Sequence, residues 1–138
     1  MMDTDRMLHT LGVARKMVKI AKEKGLSEEV QKELFLLGFN HDIGYEYPDP
    51  AQQHNIIGGT ILKASGYKYW QEVYYHGQPD VPYDSLYLLI LNQADMQVNK
   101  YGNDVGYEKR LSDIESRYGK DSVPYINSKN LIEKIKDK

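Results

Sequence analysis

The chain has 138 residues, of which 41% are apolar and 28% charged, and its net charge is −2. That is the size and balance of one globular domain that can bury a core without disulfides or structural metal. A charge so near neutrality offers no bulk grip on a nucleic-acid polymer or an anionic membrane surface, and the absence of cysteine excludes disulfides, thiolate zinc sites and cysteine nucleophiles.

The opening stretch "MMDTDRMLHTLGVARKMVKIAKEK" breaks its apolar positions with Asp, Arg and Lys at helical spacing. A signal peptide needs an unbroken apolar run, and no segment approaches a transmembrane span, so the reading is of a cytoplasmic protein. The first helix is predicted from about Thr4 to Lys24, with His9, Val13, Met17 and Ile20 on one stripe and Gly25 as its stop. Ser27 is the expected N-cap of a second helix, with Glu28 and Glu29 in its first turn. Val30, Leu34, Leu37 and His41 then form its stripe, so His41 ends the helix on its buried side, and Gly44 is available to turn the chain.

"YEYPDPAQQ" reads as a loop, and Asp49-Pro50 as the N-cap and first residue of a third helix. That helix carries His54, Ile57 and Ile61 on one face, with Gly58 and Gly59 allowing a neighbour to approach closely, and Gly66 ends it. A short helix in "YKYWQEVYYH" stops at His76-Gly77. Asp84 or Ser85 caps a long helix expected to reach about Lys100, on which Leu88, Leu91, Asp95 and Val98 share a face. "GYEKRLSDIESRYG" is a charged amphipathic helix, and "NLIEKIKDK" a last, more polar one. Twelve Tyr against two Phe are read as tyrosines at half-exposed core edges. The fold class is all-α, a bundle of about six or seven helices in one domain over 1–138, with its core in 4–100 and C-terminal helices in 104–138.

The ligand-capable residues fall on inward faces or helix ends: His9, the adjacent pair His41-Asp42, His54, His76 and Asp95. They include all four histidines of the chain. A single histidine on an apolar stripe is usually a core or edge residue. Asp95, amid "LILNQADM", is harder to place that way, because a carboxylate on an apolar face needs a partner. Imidazoles with carboxylates suit Fe, Mn, Co, Ni or Zn, and six ligands suit one or two divalent ions, with Asp42 the natural bridge.

The order His…His-Asp…His…His…Asp, centred on "HDIG" at 41–44, resembles the HD-domain superfamily of metal-dependent phosphohydrolases. "QADM" at Asp95 and the glycines after His54 are similar to that family as well. The resemblance implies hydrolysis of a phosphoester or phosphoanhydride in a nucleotide or other small phosphate. It implies that His41 and Asp42 are catalytic, that His9, His41, Asp42 and Asp95 hold a first metal, and that His54 and His76 complete a second site. Tyr45 replaces the Lys typical of the branch that cleaves cyclic dinucleotides, and that branch's downstream Gly-Tyr-Pro motif is absent, which speaks against such a substrate. Tyr45 and Tyr47 are candidates for stacking on a base. Lys100, Lys109, Arg110 and Arg117 are candidates for phosphate, although such helical charges usually form a solvated face. Two other readings share the ligand set: a mixed-valence diiron oxygenase of the same superfamily, and a non-catalytic nucleotide-binding HD domain.

Overall fold

Seven helices run through the residues described by the computed structural model, 4–43 and 54–138. They are α1 (Thr4–Glu23), α2 (Glu28–Asn40), α3 (His54–Ala64), α4 (Trp70–Tyr75), α5 (Leu86–Asp95), α6 (Gly106–Tyr118) and α7 (Val123–Ile135). Among the described residues there is no strand, only one isolated antiparallel bridge between Val98 and Asp104. The all-α expectation holds. Gly44, Tyr45, Tyr47 and the Asp49-Pro50 helix start lie outside the described residues.

The local stop and start signals work as read. Gly25 takes φ +72, Leu26 N–H donates to the Ala21 carbonyl at 2.9 Å, and Gly25 N–H donates to Lys22 at 3.0 Å. These two hydrogen bonds satisfy carbonyls that the end of α1 would otherwise leave unpaired. Two residues later, the Ser27 hydroxyl accepts from Val30 N–H at 3.2 Å and opens α2. Gly66, with φ +81, ends α3 in the same manner as Gly25 ends α1.

The core joins Val13 and Met17 of α1, Leu34 and Leu37 of α2, Leu62 of α3, Val73 of α4, and Ile90 and Leu91 of α5. Tyr67, Tyr69 and Tyr87 pack on its edge, as the tyrosine count suggested. A smaller cluster of Met96, Leu131, Ile132 and Ile135 seats α7 behind the end of α5. Helix α1 lies against α2 and α5, α3 against α4, and α6 against α7.

Close backbone approaches at glycine set the two crossings nearest the histidines. A Cβ at Gly38 would come within 2.7 Å of Ala14 Cα, so α1 and α2 touch there, three residues before His41. At Gly59 a Cβ would meet Tyr74 Cβ at 2.5 Å and Tyr74 Cα at 2.6 Å, so α4 rests directly on α3. Gly59→Ala must push these helices apart and is expected to cost about 1–3 kcal/mol. Chemical denaturation should show a lower midpoint with an unchanged slope; an unaltered midpoint would contradict this packing.

Two boundaries and one buried face differ from expectation. Helix α5 stops at Asp95 rather than near Lys100, because Asn99 turns the chain. Its side-chain oxygen accepts from Tyr101 and Asn103 N–H, each at 3.0 Å, and so offers the backbone a rival to the helix. Gly102 follows at φ +84, with its backbone against Leu8 and Gly12 of α1. Helix α7 begins at Val123, before "NLIEKIKDK", with Ser122 as N-cap and a proline in its first turn. On α3 the buried stripe is Asn55, Gly58, Gly59 and Leu62, while His54, Ile57 and Ile61 lie half-buried on its flank. Glycine and asparagine can occupy a packed face that an apolar count does not register.

Candidate metal centre

Five helices deliver six side chains to one point. His9 comes from the buried face of α1, and His41 is the C-cap of α2, with Asp42 beside it. His54 opens α3, His76 is the C-cap of α4, and Asp95 is the last residue of α5. Placing ligands at helix ends frees them from packing against their own helix and lets several helices converge on one spot. Two tethers hold the second half together. Asn55 Nδ2 donates to the Tyr74 carbonyl at 2.8 Å, and Gly77 N–H donates to Asn92 Oδ1 at 2.9 Å.

Asp42 is the centre. Its Oδ2 lies 3.3 Å from His41 Nε2 and 3.7 Å from His9 Nε2. Its Oδ1 lies 3.7 Å from both His54 Nε2 and His76 Nε2. Asp95 Oδ1 joins the first set, 2.8 Å from His9 Nε2 and 3.5 Å from His41 Nε2. The two oxygens of one carboxylate thus divide the four imidazoles into two pairs. The rings follow one another, with centroids 5.6 Å apart for His9 and His41, 5.2 Å for His41 and His76, and 5.3 Å for His76 and His54.

Three of the rings are oriented from behind by backbone carbonyls. His41 Nδ1 donates to Gly38 at 2.6 Å, His76 Nδ1 to Val73 at 2.6 Å, and His9 Nδ1 to Asn99 at 3.0 Å. A carbonyl only accepts, so each Nδ1 carries a proton and each Nε2 is turned into the site, where it could offer its lone pair to a metal once the ring is neutral. This is how proteins orient metal-binding histidines. The early end of α5 has its consequence here, since the turn after Asp95 presents the Asn99 carbonyl to His9.

Electrostatics separates the rings. Burial alone would lower His41, but the carboxylates of Asp42 and Asp95 outweigh it and push the ring up to about 10. Burial would raise both carboxyls, yet the facing imidazoles, His41 foremost, hold Asp42 and Asp95 well below the usual range. Burial, with His76 adding to it, brings His54 down to about 4, so its ring is neutral at physiological pH.

The donor set fits a metal on one further observation. His41 Nε2 and His76 Nε2 are fully buried and make no hydrogen bond among the described residues, the oxygens of Asp42 standing off at 3.3 and 3.7 Å. Buried polar atoms of this kind are costly unless something pairs with them. Two groups have ligand atoms close enough together to hold an ion, His9 with His41 and Asp95, and His41 with Asp42 and His76. His54 is the most open of the six, with 26% of its side chain exposed, and it faces a cleft of about 1010 Å³ that also reaches His9, Asp42, His76 and Asp95.

Of the proposed phosphate contacts, Arg110 and Arg117 line this cleft; Lys100 lines a recess beside it, and Lys109 lines neither. Tyr45 and Tyr47 lie outside the described residues. Sequence reading missed Arg6, whose Nη1 sits 3.4 Å from Asp42 Oδ2. Its position three residues before His9, on the same helix face, was the available signal. It also missed the Asn99 carbonyl, which no local pattern announces.

The described helices form an all-α fold that gathers four imidazoles and two carboxylates, a donor set that could hold metal ions. The HD domain family model matches residues 6–116, a span that holds all six residues, and the chain belongs to that family. The family is metal-dependent and typically hydrolytic. No curated protein and no solved structure matches the chain. No described helix is long and apolar enough to cross a membrane.

Proposed function

We propose that the protein is a metal-dependent phosphohydrolase acting on a nucleotide or another small phosphate ester or anhydride. The observation that carries this reading is the division of the imidazoles by the two oxygens of Asp42, with His9 and His41 on one side and His54 and His76 on the other. His9, His41, Asp42 and Asp95 would hold one ion; His54 and His76, sharing Asp42, would hold a second. Such ions supply Lewis-acid charge for phosphoryl oxygens and a water acidified toward neutral pH.

The chain's own groups do the remaining work. The carbonyls of Gly38, Val73 and Asn99 fix three rings and so limit motion at the reacting centre. Asp42 stays ionised at all physiological pH values and offers an oxygen to each side. Arg6, beside Asp42 on the cleft wall, presents N–H groups suited to a phosphoryl oxygen.

The test is purified protein supplied with Mn, Fe, Co, Ni or Zn against a panel of nucleotides and generic phosphoesters. Turnover that a chelator removes and metal restores is expected; folded protein inert with every metal would overturn the reading. His54→Ala should leave the fold intact and reduce the metal content from about two ions to about one, since His76 and a shared carboxylate alone make a poor site. Elemental analysis after dialysis reads this directly.

A further inference from the structure

The cleft over the histidines continues into a recess of about 260 Å³ lined by Asp5, Arg6, His9, Lys100, Arg110 and Arg117. Arg6, His9, Arg110 and Arg117 line both spaces, so the recess adjoins the metal cluster. Four cations face a single acid there, in a chain whose net charge is −2. Three of the four have no carboxylate partner among the described residues. Lys100 Nζ lies 5.0 Å over the Tyr101 ring, and the Arg117 guanidinium lies 5.9 Å over Tyr118. Arg110 is anchored instead, its Nε donating to the Asp95 carbonyl at 3.1 Å. That bond ties the guanidinium to the last turn of the helix that carries a candidate ligand. Lys16, by contrast, pairs with Asp104 at 2.7 Å.

Like charges gathered on a concave wall repel one another, and the repulsion is relieved when an anion enters. A solvated face needs no concavity and no common wall with a reaction site; this cluster has both. We propose that the recess formed by Lys100, Arg110 and Arg117 holds a second anionic group of the substrate, a phosphate or a carboxylate, while the reacting phosphate lies at the His/Asp cluster. The substrate class is then a small molecule with two anionic groups a short distance apart. Beyond the recess, Ile114, Tyr118, Val123 and Pro124 give the cleft an apolar wall for the organic body of such a molecule. The assignment rests on the phosphohydrolase reading for which group reacts, but not for the binding itself.

The test uses the metal-loaded protein, in buffer holding the metal in excess, with two non-hydrolysable probes. Methylphosphonate carries one anionic group and methylenebisphosphonate two. Calorimetric titration should show the second probe binding tighter by about tenfold or more, the worth of one charged hydrogen bond or better. In Lys100→Ala/Arg117→Ala the two probes should come within about threefold of each other, with methylphosphonate nearly unchanged and a weaker dependence on salt. Both side chains are exposed, so the double variant should fold. Equal binding of the probes by the parent protein would overturn the proposal, as would a bisphosphonate preference that survives in the variant or an equal loss of both probes. A preference with no turnover of any phosphate would keep the recess and discard the hydrolase. Brisk turnover of singly charged esters, indifferent to the variant, would do the reverse.

Discussion

Asp42→Asn is expected to empty the centre, lowering bound metal to below about one ion per chain and turnover by roughly a thousandfold or more. Groups that merely orient metal ligands already cost about 10–100-fold when removed, and Asp42 touches both sets of imidazoles. The asparagine keeps the shape and removes the charge, so the helix ends around it should persist. Metal at about a hundredfold its dissociation constant stabilises the native state by about 2.7 kcal/mol, roughly 10 °C in Tm for a chain of this size. The parent protein should show that rise and the variant should not. In the metal-free state the variant should be only modestly less stable, because His41, no longer faced by Asp42, can shed its proton rather than remain a buried unpaired cation. A variant that kept its metal and its thermal rise would remove Asp42 from the centre of the site.

Metal uptake should also expel protons. With no metal bound, His41 is held protonated up to about 10 by Asp42 and Asp95, whereas a metal requires the neutral ring. Metal and proton therefore compete, and apparent affinity should rise with pH between about 7 and 9, by about tenfold per unit for each proton displaced. Calorimetry in two buffers of different ionisation enthalpy measures the protons released; none released would sink the prediction. The stability of the metal-free protein follows from the same shifts. His41 is raised, so its contribution is whole below its ordinary 6.5 and is lost as pH climbs through about 10. Asp42 and Asp95 are depressed, so theirs is present above 3.8 and is lost as pH falls through their lower native values. His54, depressed to about 4, works the other way: its contribution is whole above 6.5 and is lost as pH falls towards 4, because the fold holds neutral an imidazole that the unfolded chain would protonate. The metal-free protein should thus be most stable near pH 6.5, and metal should extend that stability on the alkaline side.

Most of the helical framework was legible because its signals are local. Gly25, Ser27, Gly66 and Ser85 act on backbone groups only a few residues away, and each worked as read. The buried stripe of His9, Val13, Met17 and Ile20 was legible for the same reason, since one helix face repeats within a turn. Periodicity misled where two local preferences competed. The apolar rhythm through Val98 suggested a longer α5, but the Asn99 side chain and Gly102 made a turn, and Val98 still reached the core, 1% exposed, without being helical. On α3 an apolar count chose Ile57 and Ile61, while the packed positions were Asn55, Gly58, Gly59 and Leu62; the close approach expected at the glycines is made at Gly59, against Tyr74.

By itself the sequence determined the candidate set: six ligand-capable residues in a recognisable order, each placed by the helical pattern on an inward face or at a helix end. Only the tertiary structure decided that Asp42 turns one oxygen to His9 and His41 and the other to His54 and His76, that Asn99 braces His9 from behind, and that Arg6, Arg110 and Arg117 share a wall with the cluster. Helix starts, stops and faces arise from hydrogen bonds and side-chain spacing within about a turn, which a string of residues records. Which oxygen meets which ring depends on how closely helices cross, and here those crossings are governed by glycine contacts at Gly38 and Gly59 whose partners, Ala14 and Tyr74, are distant along the chain.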